Sequence, residues 1–290
     1  MTTPDSAASR LRAHVEMLAG TIGERNLWHC EALDRAARYV SAQLSGAGYT
    51  PALQAFEVAK IPVSNIEATL TGTARATDIV VVGAHYDTVS GCPGANDNGT
   101  GVAAVLELAQ RLSRRPQPCT VRFVAFVNEE PPFFKTGHMG SVVYANAAQV
   151  RGDRVTAMLS LETMGYYSDK QGSQQYPAEI ASLYPDVGDF IGFVANSASA
   201  PLLLQARHAF EGRTRFPLQA VAAPDDVAGV GWSDHWAFWQ AGYPAMMVTD
   251  TAPFRYPWYH TAEDTPDKID FAKLAEVVDG LEAVVEALAR

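Results

Sequence analysis

The run DIVVVGAH (residues 78–85) is apolar on both faces of any strand it forms. Such a strand must lie inside a sheet covered on both sides. Runs of this kind recur at CTVRFVAFV (119–127), TAMLSLE (156–162), 190–195 and PAMMVT (244–249). Helix-periodic segments separate them, at 100–114, 139–148, 199–210 and a short 234–240, and a long one at 268–289 closes the chain. Buried strands alternating with helices predict an α/β fold, a three-layer α/β/α sandwich with a central mixed, mostly parallel β-sheet. Helical spacing also predicts helices over 6–19 and 30–45, the second with Leu33, Ala36, Ala37, Val40 and Leu44 on one face and a glycine stop in GAGY. Segments 51–58 and 64–71 alternate as half-buried strands and are expected to pair as a hairpin. No internal repeat or low-complexity linker interrupts the 290 residues, so a single domain over 1–290 is expected.

In a sheet of this type ligands bind beyond the carboxyl ends of the strands. His85 ends one strand, Glu129 and Glu130 follow the next, and Glu162 ends a third. Asp97 lies in the glycine-rich loop GANDNGTG, and His260 in WYHTAEDTPDKID. Each has an ordinary alternative when taken singly. A histidine at a strand end is usually a satisfied group, Asp-Asn-Gly is usually a turn, and paired glutamates usually face water. Here the glutamate pair follows an apolar strand and precedes PPFF, while Glu162 follows LSL, where an unpaired charge would be costly. Imidazole nitrogen and carboxylate oxygen together suit zinc and similar divalent ions. Two ions about 3.5–4 Å apart can share a carboxylate and activate one water, with a spare carboxylate as base.

Composition removes other classes. A hydrophobic content of 48% supports a large core. A formal charge of −10 argues against nucleic acid as the main partner, because phosphate binding needs a cationic face. No run approaches the roughly 20 apolar residues of a membrane helix, so no membrane partner is expected. The opening MTTPDSAASRLRAHVEMLAG lacks the apolar stretch of a signal peptide. Cys30, Cys92 and Cys119 are far apart with no CxxC pair, so any metal must be held by nitrogen and oxygen, and a reducing cytoplasm is the expected compartment. Oligomeric state leaves no mark in the sequence.

Five motifs, GAHYDTV…GANDNGTG, NEE, LSLETMG, SDH and YHTAEDTPDKID, occur in this order. Together they resemble the M28 zinc aminopeptidases of the aminopeptidase Y/S, Vibrio and Streptomyces type, over roughly residues 30 to 290. The resemblance implies two zinc ions, other divalent metals being admissible. His85 and Glu162 would hold one and Glu130 and His260 the other, with Asp97 bridging. Glu129 would be the general base, Asp87 would orient the His85 imidazole, and Tyr259 would polarise the developing oxyanion, with Tyr166 as a weaker competitor. A cis peptide bond at Asp97–Asn98 is also implied. The activity implied is hydrolysis of the N-terminal residue of peptides with a free N-terminus. One departure stands out, since the family commonly has aspartate where this chain has Glu162.

Aromatic residues on loops beside these positions, Phe133, Phe134, Phe254, Tyr256, Trp258 and Tyr259, suggest a substrate wall and an apolar first residue. Trp232, Trp236, Phe238 and Trp239 follow short-helix spacing and read as core. His235 reads as a neighbour of the site with Ser233 or Asp234 as N-cap, and Cys92 as a small filler in a tight turn. Two alternatives share the fold. A glutaminyl cyclase would use a single zinc held by Asp97, Glu130 and His260, and a non-catalytic binding domain would have lost ligands that this chain retains.

Overall fold

The computed structural model describes residues 6–178 and 181–290. Helix α1 (Ala7–Val15) starts where the Ser6 side chain accepts from the Ser9 amide, and it runs on as a π-helical turn, Glu16–Ile22. Helix α2 (Cys30–Gly46) buries Leu33, Ala36, Val40 and Leu44, the stripe its spacing predicts. Strands β1 (Ala52–Val58) and β2 (Ile61–Leu70) form the expected hairpin.

The βα pattern follows. Strand β3 (Arg75–His85) leads to α3 (Gly101–Leu112), β4 (Cys119–Phe126) to α4 (Gly140–Arg151), and β5 (Arg154–Glu162) to β6 (Ile191–Ala195) and α5 (Ala200–Arg213). Strand β7 (Leu218–Ala222), α6 (His235–Gln240), β8 (Ala245–Thr249) and α7 (Phe271–Leu288) complete the chain. Helix α7 begins later than the periodicity suggests, because Pro266–Lys268 forms a separate 3-10 turn and the Asp270 side chain caps the Lys273 amide.

The eight strands lie in the order β1-β2-β4-β3-β5-β8-β6-β7. Pairs β3·β4, β3·β5, β5·β8 and β6·β7 are parallel, and β1·β2, β2·β4 and β6·β8 are antiparallel. Successive residues of β3 supply two cores, as period-two alternation requires. Val80, Val82 and Ala84 join the larger core with residues of α1, α2, α3, α5 and α7, whereas Ile79 and Val81 meet Phe126, Tyr144 and Phe238 beneath α4 and α6. Burying each such side chain contributes about 1.5–3 kcal/mol. Packing between α5 and α7 is tight enough that a Cβ on Gly280 would lie 2.2 Å from the Phe210 ring.

The architecture is therefore the mixed, three-layer α/β/α arrangement that the sequence predicts. The sequence reading omitted β7. Its burial is intermediate at four positions and exposed at the fifth, it follows Pro217, and it lies on the sheet edge, so neither alternation nor an apolar run marks it.

Candidate metal centre

Four adjacent strands, β4, β3, β5 and β8, point their carboxyl ends at one crevice. His85 ends β3 and is fully buried. Glu129 and Glu130 follow β4 after Asn128, which takes a left-handed φ of 59° and turns the chain inward. Glu162 ends β5, and His260, at φ 58°, enters from the loop beyond β8. Asp97 reaches the same point from the loop ahead of α3.

The two carboxylate oxygens of Asp97 face different imidazoles. Oδ1 lies 3.3 Å from His85 Nε2, and Oδ2 lies 3.1 Å from His260 Nε2. Each imidazole also has a carboxylate of its own, Glu162 Oε2 at 3.3 Å from His85 and Glu130 Oε2 at 3.4 Å from His260. Glu129 Oε2 stands further back, 3.9 Å from His85 Nε2. The Asp97–Asn98 peptide bond is cis.

These spacings suit a cation among the donors. Two ligand atoms each about 2.1 Å from a tetrahedral ion lie about 3.4 Å apart. Donor atoms of His85, Asp97 and Glu130 all fall within 4.8 Å of one another, and Glu130 Oε1 is buried without a hydrogen-bond partner. The charge balance points the same way. Burial opposes charge on His85, yet Glu162 and Glu129 outweigh it and hold the imidazole well above its usual range. Burial opposes charge on His260 too, but Asp97 and Glu130 raise it to about 10. Glu130 is pushed up to about 7 by burial and the Asp97 charge, and burial also raises Glu129 and Glu162. Two imidazoles face five buried carboxylates (Asp87, Asp97, Glu129, Glu130, Glu162), so a divalent cation would relieve a surplus of negative charge.

The model of peptidase family M28 matches residues 65–285. The chain belongs to peptidase family M28. That membership makes it a metallopeptidase. Among its relatives, the uncharacterized protein YfbL of Escherichia coli (strain K12) is 36% identical over 97% of this chain and 88% of its own length. Aminopeptidase YwaD of Bacillus subtilis (strain 168) is 28% identical over 72% of this chain, which spans only 40% of that relative. A solved zinc aminopeptidase from Bacillus subtilis superposes with a TM-score of 0.76 at 18% identity, covering 96% of this chain and 94% of that one. A Fimbriiglobus ruber glutaminyl cyclase superposes at 0.70 and 20% identity, over 99% and 97%. At those identities the two structures speak for the fold alone.

Around the centre of this M28 chain, several groups do work that the sequence did not announce. Asp87 lies 3.5 Å from His85 Nδ1, and its two oxygens also accept the amides of Glu129 and Glu130, at 3.1 and 3.2 Å. It therefore fixes the loop after β4 as well as standing behind His85. Asp264 accepts the amides of Asn96 and Asp97 at 2.8 and 3.1 Å and the Tyr256 hydroxyl at 2.7 Å. Burial raises its carboxyl to about 6. Ser233 is not an N-cap: its hydroxyl donates to Glu162 Oε2 at 2.6 Å. Asp234 holds the N-cap position of α6 as expected but makes no side-chain capping bond; it is fully buried, with its carboxyl raised to about 7 by burial.

An apolar pocket opens beside Glu162 and Tyr259, walled by Phe193, Val194, Val230 and Met247 and closed by Trp232 and Phe254. Trp232 thus corrects the expectation of core. It precedes α6, is 45% exposed, and stacks on Phe254 across the pocket. Phe238 is core as expected, and Trp236 and Trp239 pack partly buried against it. Of the expected wall, Phe254 and Tyr259 line the pocket; Phe133 stacks on Trp28, and Tyr256 is held by Asp264. Tyr259 also stacks on the His260 ring at 3.8 Å, whereas Tyr166 packs against Tyr256 and Trp258. His235 bonds the Val230 carbonyl and stays with the core, and burial pushes the Cys92 thiol up to about 12, which leaves it inert.

Proposed function

We propose that this chain is a dinuclear metallo-aminopeptidase that removes the first residue, preferably apolar, from peptides with a free N-terminus. The observation that carries this reading is the split of Asp97 between two His–carboxylate pairs. On it, His85 and Glu162 would hold one ion and Glu130 and His260 the other, with Asp97 serving as a ligand common to both pairs. Bound zinc at such a site supplies acidification of water and polarisation of a carbonyl. Glu129, beside the ligands but set back from them, takes the proton of the attacking water and passes it to the leaving amine. Burial raises its proton affinity above the usual carboxylate range. Tyr259, next to His260 at the pocket mouth, donates to the developing oxyanion.

The pocket receives the first side chain, and its lining favours an apolar or aromatic one. Glu162 stands at the pocket edge and receives the α-ammonium. Its extra methylene, relative to the family's aspartate, narrows the room for the first residue's backbone. Free cysteines at 30, 92 and 119 fit a cytoplasmic location, and one continuous sheet supports a single domain over 1–290.

Leucyl- and phenylalanyl-nitroanilide are expected to be cleaved, and their N-acetyl forms at least about 100-fold more slowly. An acyl cap leaves a buried charged acceptor without its partner, at a cost of about 3 kcal/mol. Comparable kcat/KM for free and acetylated substrates would overturn the aminopeptidase assignment while leaving metal-dependent hydrolysis standing. Cyclisation of N-terminal Gln by a one-ion enzyme would favour the cyclase reading instead.

A further inference from the structure

Arg25 has no solvent exposure and, among the described residues, no ion-pair partner. All its side-chain nitrogens donate to backbone carbonyls instead. Nε donates to Tyr86 O at 2.7 Å, and Nη1 to Pro93 O at 2.6 Å, Gly23 O at 3.2 Å and Leu18 O at 3.3 Å. Nη2 donates to Gly94 O at 2.9 Å. Tyr86 is the residue after His85, and Pro93 and Gly94 open the loop that presents Asp97. The Gly94 carbonyl also accepts the Gly99 amide, which closes that loop on itself. Gly94 takes a left-handed φ of 66°, and a Cβ there would lie 2.5 Å from Asp97 O and 3.2 Å from Arg25 Nη2. The loop is therefore folded directly over the guanidinium, with no room for a side chain between them.

The nearby carboxylates of Asp264, Asp87, Asp97 and Glu130 stabilise the Arg25 charge, but a fixed positive charge behind a cation site weakens cation binding, so the charge alone does not strengthen the hold on an ion. Geometry does. A planar fork can bind the strand end that carries His85 and the loop that carries Asp97 at once, which a point charge cannot. We propose that Arg25 is a positioning residue that sets the Asp97 carboxylate against the His85 imidazole, and so the affinity for the ions, without touching a ligand side chain. Asp264 holds the amides of the same loop, and Arg25 holds its carbonyls. This rests on reading Asp97 and His85 as metal ligands.

The test is zinc affinity, measured by chelator competition without substrate on full-length R25K and R25M alongside wild type, with circular dichroism to verify folding. R25K keeps the charge and loses the fork; R25M loses both. Positioning predicts that both bind zinc about 10–100-fold more weakly, the range typical of groups that orient ligands. It also predicts that guanidinium ion partly restores affinity to R25A. Wild-type affinity in folded R25K, or tighter binding in R25M, would overturn the proposal. If neither variant folds, T88V carries the comparison, since Thr88 Oγ1 accepts the Arg25 amide at 3.1 Å. A few-fold weakening there supports positioning, and an unchanged affinity rejects it. Wild-type protein that binds no zinc would instead remove the ligand assignment itself.

Discussion

Glu129→Gln is expected to lower kcat by about 10²–10⁴-fold, the usual contribution of a positioned general base, while the protein keeps its fold and its metal content. Glutamine matches glutamate in shape but cannot accept the water's proton. Glu129 Oε2 lies 3.9 Å from His85 Nε2, further than the 3.3 Å of Asp97 and Glu162, so ion binding is not expected to depend on it. Glu130→Gln is expected to behave oppositely, because Glu130 Oε2 lies 3.4 Å from His260 and its other oxygen is buried without a partner. Ion content by elemental analysis and single-turnover rates separate the two. If Glu129→Gln lost metal while Glu130→Gln kept it, the roles of the pair would be reversed.

Asp97→Asn is expected to be more damaging still. An amide offers one oxygen and one NH2, so it cannot present acceptors to both imidazoles, which now stand 3.3 and 3.1 Å from its two oxygens. It also removes the charge that, with Glu130, raises His260, and a lesser one of the carboxylates that raise His85 after Glu162 and Glu129. Groups that merely orient ligands cost about 10–100-fold when changed, so loss of a shared ligand should exceed about 10³-fold in kcat/KM. Added zinc at high concentration should restore only part of it. An Asp97→Asn enzyme with full ion content and near-normal turnover would remove the shared-ligand role.

The strand–helix alternation was legible because each central strand is apolar on both faces, and the convergence of His85, Glu129, Glu130 and Glu162 because they end or follow adjacent strands, while Asp97 and His260 arrive on loops. What escaped notice were side chains that act on backbone far away in sequence. Arg25 reaches Gly94 and Asp264 reaches Asn96, contacts spanning 69 and 168 residues that leave no periodic trace. Ser233 was read as a helix cap from its neighbours, yet Glu162, 71 residues earlier, takes its hydroxyl. Trp232 was assigned to the core by assuming the phase of α6 before that helix begins at His235. Strand β7 lacked an apolar run because its edge position leaves it half exposed.

The decisive measurement is the ion count of the reconstituted protein. Apoprotein prepared with a chelator and titrated with zinc should saturate at two ions per chain, with nitroanilide hydrolysis absent at the start and restored along the titration. Saturation at one ion per chain, or hydrolysis that survives complete chelation, would contradict the dinuclear aminopeptidase.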